Sequence, residues 1–190
     1  MLEAFKKFVS TRIAIESGVL EELTACFRPK ILKRRTIIQK QDEVCRHLGF
    51  IVKGYVRLYF LKDGEEITKD FNFENSFCGS YASLSLQVPS RFNIVAMEEL
   101  HVLFISRDDL FRMYLKHPAI ERLGRMSIET MFIKKELRES SFLLDTAEQR
   151  YKDMLQQYPG IELRVPLKYL ASYLGITPET LSRLRRGEVS

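Results

Sequence analysis

From about Thr36 to Ile105, apolar and polar side chains alternate over short runs separated by turn residues. Ile51-Val52-Lys53-Gly54-Tyr55-Val56-Arg57-Leu58-Tyr59-Phe60 holds two β-rich runs joined at Lys53-Gly54. In the second run Val56, Leu58 and Phe60 alternate with Tyr55, Arg57 and Tyr59, the period of a half-buried strand. Asp63-Gly64 follows, a strong hairpin signal because both turn positions favour positive φ and glycine meets no steric obstacle there. The next strand candidate is Glu66–Phe71, and Phe92–Met97 and Leu100–Ile105 flank a Glu98-Glu99 turn. Many short strands at this pitch predict a sandwich, jelly roll or barrel.

The period then changes. Ser106 is placed to cap a short helix, with Asp109 three residues on, and His117-Pro118 ends it. Pro118 opens a longer helix on which Leu123, Met126, Thr130, Ile133, Leu137, Ser140 and Leu144 fall alternately three and four apart. That spacing predicts a seam of coiled-coil type, interrupted by Thr130 and Ser140. Two uses fit it: packing on the chain's own β domain, or dimerisation with a second copy. A further helix runs from Thr146 to Tyr158. Pro159-Gly160 then reads as a plain turn, with a short strand at Glu162 and Leu163 as the alternative.

The last pattern is the most specific. Leu167, Leu170, Ala171 and Leu174 give one short helix an apolar face, and Gly175 can stop it in the left-handed conformation. Ile176 should tuck between helices. Thr177 offers an oxygen to unpaired N–H groups, and Pro178 stands at the first position of a second helix, where its missing N–H costs nothing. Leu181 and Leu184 supply that helix's inner face. With small Ala171 allowing a close crossing, the pair reads as a helix-turn-helix, an ordinary helical hairpin being the plainer alternative.

The outward face of the second helix carries Glu179, Thr180, Ser182, Arg183 and Arg186. In a helix-turn-helix this face enters the major groove. Arg183 can bond bidentately to guanine and Glu179 can accept from a cytosine amino group. Thr177, Thr180 and Ser182 suit phosphate oxygens, which position the helix without specifying sequence. Glu179 also suits the positive end of its own helix, and both readings can hold together.

Composition narrows the classes. The 190 residues include 45% hydrophobic and 29% charged side chains, as in ordinary folded domains. No apolar run approaches the ~20 residues that span a bilayer. The N-terminus, Met-Leu-Glu-Ala-Phe-Lys-Lys-Phe, has no secretory apolar region, so a cytoplasmic location is expected. Thirty Lys and Arg against twenty-five Asp and Glu leave a net charge of +5, compatible with an anionic partner. The basic run Arg28, Lys30, Lys33, Arg34 and Arg35 lies away from the reader and reads as a solvated strand face. Cys26, Cys45 and Cys78 are widely spaced and expected to be reduced and structural. His47, His101 and His117 are equally scattered, so neither metal nor cofactor is expected. There is no P-loop, no G-x-S-x-G, no H-E-x-x-H and no evident Cys–His pair, and the chain is not expected to be an enzyme.

A β-rich first half, a long seam helix and a terminal helix-turn-helix together resemble the Crp/Fnr family, the cyclic-AMP receptor protein and its relatives. The sharpest piece is Gly175-Ile176-Thr177-Pro178-Glu179-Thr180-Leu181-Ser182-Arg183, and Val165 to Arg185 is most similar to the Bacteroidetes branch. The resemblance implies an α+β chain: an N-terminal double-stranded β-helix (jelly-roll) sensor at 1–116, a dimerisation helix at 117–145 and a DNA-binding domain at 146–190. It places Glu179 and Arg183 at base-reading positions and Thr180 at a phosphate contact. It also implies an effector cassette at Gly79, Ser80, Arg91 and Phe92 for a small anionic ligand.

That cassette departs from its pattern. Cyclic-nucleotide binders of the family open it with Gly-Glu and close it with Arg-Ser or Arg-Thr. Here the pairs are Gly79-Ser80 and Arg91-Phe92, so the ribose-reading carboxylate and the small hydroxyl residue are missing. Lys134 and Lys135 stand near where cyclic-AMP binders keep adenine-contacting Thr and Ser. The expected function is therefore a homodimeric, sequence-specific transcription regulator on an inverted-repeat operator, with an effector site degenerate for cyclic AMP and RNA polymerase as a candidate partner. The alternative is a ligand- or protein-binding sensor that keeps the fold without DNA binding. Only Gly187-Glu188-Val189-Ser190 follow the reading helix, and no C-terminal wing is expected.

Overall fold

In the computed structural model, residues 1–187 are described, and the chain divides into two units at Ser127/Ile128. The expectation for the chain end therefore lies, from Glu188 on, outside the described residues.

The first unit is a roll of two four-stranded antiparallel sheets. One has the order β1 (Arg28–Leu32), β8 (Leu100–Ser106), β3 (His47–Lys53), β6 (Phe77–Cys78). The other runs β2 (Ile37–Gln39), β7 (Asn93–Ala96), β4 (Val56–Lys62), β5 (Glu65–Asn72). Consecutive strands β3 and β4 go to different sheets, and the chain turns between them at Gly54, with φ +91°. A Cβ there would meet the Glu99 carbonyl at 2.6 Å, so only glycine fits. The β4–β5 hairpin closes at Asp63-Gly64, both with positive φ, as the dipeptide predicts.

Inside the roll lie Ile51, Val56, Leu58, Cys78, Ile94, Ala96, Leu100 and Val102, all buried. The alternation on β4 predicts one buried face, yet Tyr55, Arg57 and Tyr59 are buried too. That outer face is covered by an aromatic group, Tyr55 stacked 5.2 Å from Phe73, and by Arg57, which lies 4.4 Å over Tyr59 and pairs with Glu66. Contacts among neighbouring side chains on that face thus contribute to its burial.

Two N-terminal helices complete this unit, α1 (Leu2–Ser10) and α2 (Ser17–Ala25). Phe5, Phe8 and Val9 share one face of α1 and enter a second core with Phe27, Phe50 and Phe77. Between β6 and β7 lies the short helix α3 (Tyr81–Leu86). Ser106 caps α4 (Arg107–Lys116) by accepting from the Asp109 N–H, and Pro118 opens α5 (Pro118–Leu144). Ile120 and Leu123 of α5 are buried in the α1 core. Leu123 is thus corrected from a seam residue to a core residue, because its side chain is covered by its own domain. Met126 packs beside it, partly buried.

The second unit holds the rest of α5, then α6 (Ala147–Gln157), α7 (Ile161–Arg164), α8 (Leu167–Leu174) and α9 (Pro178–Arg185). Its core is Met154, Ile161, Val165, Leu170, Ala171, Tyr173, Leu174 and Leu181. After Gly160, at φ +78°, Glu162 and Leu163 sit on a helical turn and form no strand. Among the described residues no helix is long and apolar enough to cross a membrane.

Candidate nucleic-acid interface and effector cassette

Helix α8 ends where Gly175 adopts φ +70°. Ile176 N–H then donates to the Ala171 carbonyl at 3.0 Å and Gly175 N–H to that of Ser172 at 3.3 Å, the paired bonds of a Schellman turn. Two residues later Thr177 caps α9, its hydroxyl oxygen accepting from the Thr180 N–H at 3.2 Å, with Pro178 in the first turn. Ala171 and Leu181 are fully buried, while Ile176 and Leu184 are half-buried. The turn, the cap and the crossing therefore fix how α9 is presented within this unit.

On its outer side Glu179, Arg183 and Arg186 are exposed, with Thr177, and Thr180 and Ser182 are half-buried. Glu179 and Arg183 are four apart, one helical turn. The Glu179 carboxyl is held below the usual carboxylate range by its own backbone N–H and by the Thr177 hydroxyl, so it is charged at neutral pH. Thr177 and Thr180 share a hydroxyl contact at 3.2 Å, so these two oxygens are oriented by each other.

The back of the helix is tied down by residues that sequence patterns do not mark. Arg185 Nε pairs with Glu162 of α7 at 2.9 Å, and the Tyr151 hydroxyl of α6 donates to the same carboxylate oxygen at 3.0 Å. Neighbouring arginines are thus directed differently: Arg185 is engaged with the body of the unit, and Arg183 stands outward. No local spacing separates them. Only the tertiary position of Glu162 does.

The cassette in the first unit is built differently. Gly79 lies against Leu48, where an added Cβ would come 3.0 Å from Leu48 Cδ1, and Ser80 is buried at 2% exposure. In α3 the Ser83 hydroxyl accepts from Cys45 N–H at 2.8 Å, and the return loop is closed by Asp42 N–H on Ser90 O at 2.7 Å. Arg91 is exposed. Phe92 packs against the inner cluster of the roll, its ring 6.2 Å edge-on from Phe60, with the Lys69 ammonium 4.8 Å from its centroid. Phe92, where the resemblance would put a small hydroxyl residue, is an apolar ring packed against the interior.

Burial pushes the Cys78 thiol up to about 12 and raises Cys45 as well, so both are held as neutral thiols. Among the described residues no cluster of His, Cys, Asp and Glu is arranged to hold a metal ion. Of the seam positions beyond Leu123 and Met126, Thr130, Ile133, Leu137, Ser140 and Leu144 are exposed, Leu137 at 66% and Leu144 at 82%. Phe132 and Leu143, which the seam pattern omits, are also exposed.

Residues 29–117 match the cyclic nucleotide-binding domain. The fold is shared over most of the chain with three solved structures. FixK2 from Bradyrhizobium japonicum matches with TM-score 0.75 at 20% identity, over 85% of this chain and 83% of its own. A CooA mutant from Carboxydothermus hydrogenoformans gives 0.71 at 19%, over 92% and 79%. A protein from Eubacterium rectale described as a transcriptional regulator of the crp/fnr family gives 0.69 at 20%, over 91% and 83%. No curated protein matches the sequence. The chain thus carries a cyclic nucleotide-binding-type roll and has the fold of Crp/Fnr regulators.

Proposed function

We propose that this protein is a homodimeric transcription regulator of the Crp/Fnr type that reads DNA sequence in the major groove with α9. The observation that carries the reading is the pair Glu179 and Arg183, exposed one turn apart on a helix whose start and approach are both fixed. A carboxylate facing DNA repels phosphate, so its presence there favours base reading over general attraction. Arg183 contacts guanine, and Glu179 accepts from cytosine or orients Arg183. Thr177, Thr180, Ser182 and Arg186 contact the backbone. In this assignment residues 1–116 are the sensor, 117–145 the dimerisation helix and 146–190 the reader.

Two copies joined along the exposed row Thr130, Ile133, Leu137, Ser140 and Leu144 carry two reading helices about 34–36 Å apart, and the operator is an inverted repeat. The sensor does not answer to cyclic AMP. With Ser80 buried where the ribose-reading Glu would stand and Phe92 turned inward, a bound ribose hydroxyl lacks its acceptor and the ring competes for the space. Any small anionic effector uses Arg91 from the rim. The direct test is selection from random duplexes at low salt. Enrichment of an inverted repeat is expected, and recovery of no preferred sequence would sink the proposal.

A further inference from the structure

An α-helix ends with four carbonyls that have no partner inside it. In α8 the Schellman turn answers two, those of Ala171 and Ser172. The other two are answered by arginines from elsewhere in the unit. Arg138 of α5 donates from Nη2 to the Tyr173 carbonyl at 2.7 Å, and Arg150 of α6 donates from Nε to the Leu174 carbonyl at 3.2 Å. Two cations at this end also complement the helix dipole.

The same guanidinium groups grip the end of the long helix. Arg138 and Arg150 lie 4.7 and 4.9 Å from the ring centroid of Phe142, and Arg138 also lies 3.7 Å over Tyr173. Phe142 reaches the turn itself, since a Cβ on Gly175 would come 2.7 Å from its Cε1. Arg150 Nη1 donates to the Asp145 carbonyl at 2.7 Å, in the link between α5 and α6. Bonds from α5 and from α6 thus converge on the end of α8, and Arg150 ties the link to the same place. Consistent with this, the unit containing the reader begins at Ile128, within α5, and not at the α5–α6 link.

We propose that Arg138, Phe142 and Arg150 are positioning residues for α9, welding the distal part of α5 to the helix-turn-helix so that the link at Asp145 is not a joint. This inference rests on the DNA-reading function proposed above. Acting through Tyr173, Leu174 and Gly175, the three residues transmit the direction of the α5 seam to the reading helix. Two readers on one seam then hold a fixed half-site spacing. Without the weld each reader swings about Asp145, keeping its base preference and losing its spacing preference.

Two measurements on the full chain test it. Amide hydrogen exchange over residues 141–149, without DNA, is compared among wild type, the double variant Arg138→Gln/Arg150→Gln and the milder Phe142→Leu. Exchange there should quicken about tenfold in the double variant and less in Phe142→Leu, while α8 and α9 keep their protection. Unchanged exchange at the link would overturn the weld, and so would loss of protection throughout α6–α9 in both variants. Next, the duplex selected by wild type is lengthened between its half-sites. Wild type should lose about tenfold or more in affinity, and the double variant less than about threefold while preferring the same half-site bases. Equal spacing sensitivity would contradict the proposal. If wild type prefers no duplex at all, the regulator reading fails, and the exchange result still decides the weld.

Discussion

Around Gly175 a positive φ, a capping threonine and an exposed arginine meet in one short stretch; beside Gly79, Ser80 is buried, and Phe92 packs partly buried against the inner cluster of the roll. The contrast is physical. A helix-turn-helix is specified by consecutive residues, each meeting a local backbone condition. A ligand cassette needs side chains brought from separate strands to surround an absent molecule. One enlarged apolar residue there can fill the volume and keep the fold stable without the ligand. The two regions therefore differ in kind: around Gly175 each local condition of a helix-turn-helix is met, while around Gly79 the proposed ligand-facing positions hold a buried serine and an apolar ring.

The comparison breaks most visibly at Gly175. Replacing it by Val places a branched side chain at φ +70° and against Phe142, and should cost the second unit about 3 kcal/mol or more. Urea unfolding of the full chain checks this, and a loss below about 1 kcal/mol would mean the turn is not specified by that glycine. In the cassette, Phe92→Ala should destabilise the roll by about 2 kcal/mol, less than for a wholly buried ring, because Phe92 is half-exposed. Cyclic AMP at about 1 mM should leave the wild-type melting temperature unmoved, whereas a rise would reinstate the nucleotide as effector.

Smaller effects sharpen the contrast. Thr177→Ala removes the cap of α9 at about 1 kcal/mol, and Thr177→Ser should restore most of it in the same unfolding assay. The buried thiols give the smallest signal. The fold raises Cys78 from 9.0 to about 12, so the folded state holds its proton more tightly than the unfolded chain. Its contribution is full below pH 9 and declines as pH rises toward 12. Melting temperatures at pH 8 and 10 should fall with pH, and alkylation at pH 8 should spare Cys45 and Cys78 until the protein unfolds. Fast native alkylation of either would show an accessible thiolate.

What could be read from the chain follows the same division. The Asp63-Gly64 hairpin, the caps at Ser106 and Thr177, and the helix stop at Gly175 are set by neighbours in sequence, and the pattern announces them. The double burial of β4 was not legible, because Arg57 reads as a solvent residue until Tyr59 and Glu66 are seen around it. Leu123 fits a seam by spacing, and only the three-dimensional core withdraws it. Helix α1 does carry a signal, Phe5, Phe8 and Val9 on one face, although the interspersed charges of the N-terminus mask it. Glu162, Arg138 and Arg150 carry none. They are ordinary charged residues whose partners lie 35, 24 and 23 positions away for Arg138–Tyr173, Arg150–Leu174 and Glu162–Arg185 respectively.

The reading role of α9 is tested most directly by the base-by-base profile of Arg183→Ala. Affinities of wild type and variant would be measured, at one fixed salt concentration, for the selected duplex and every single-base change within it. A base-reading Arg183 predicts a loss of about 1–3 kcal/mol on the selected duplex, with discrimination vanishing at one base pair per half-site and intact elsewhere. An equal loss on every duplex, with the preference at each position preserved, would make Arg183 a phosphate contact and contradict the account.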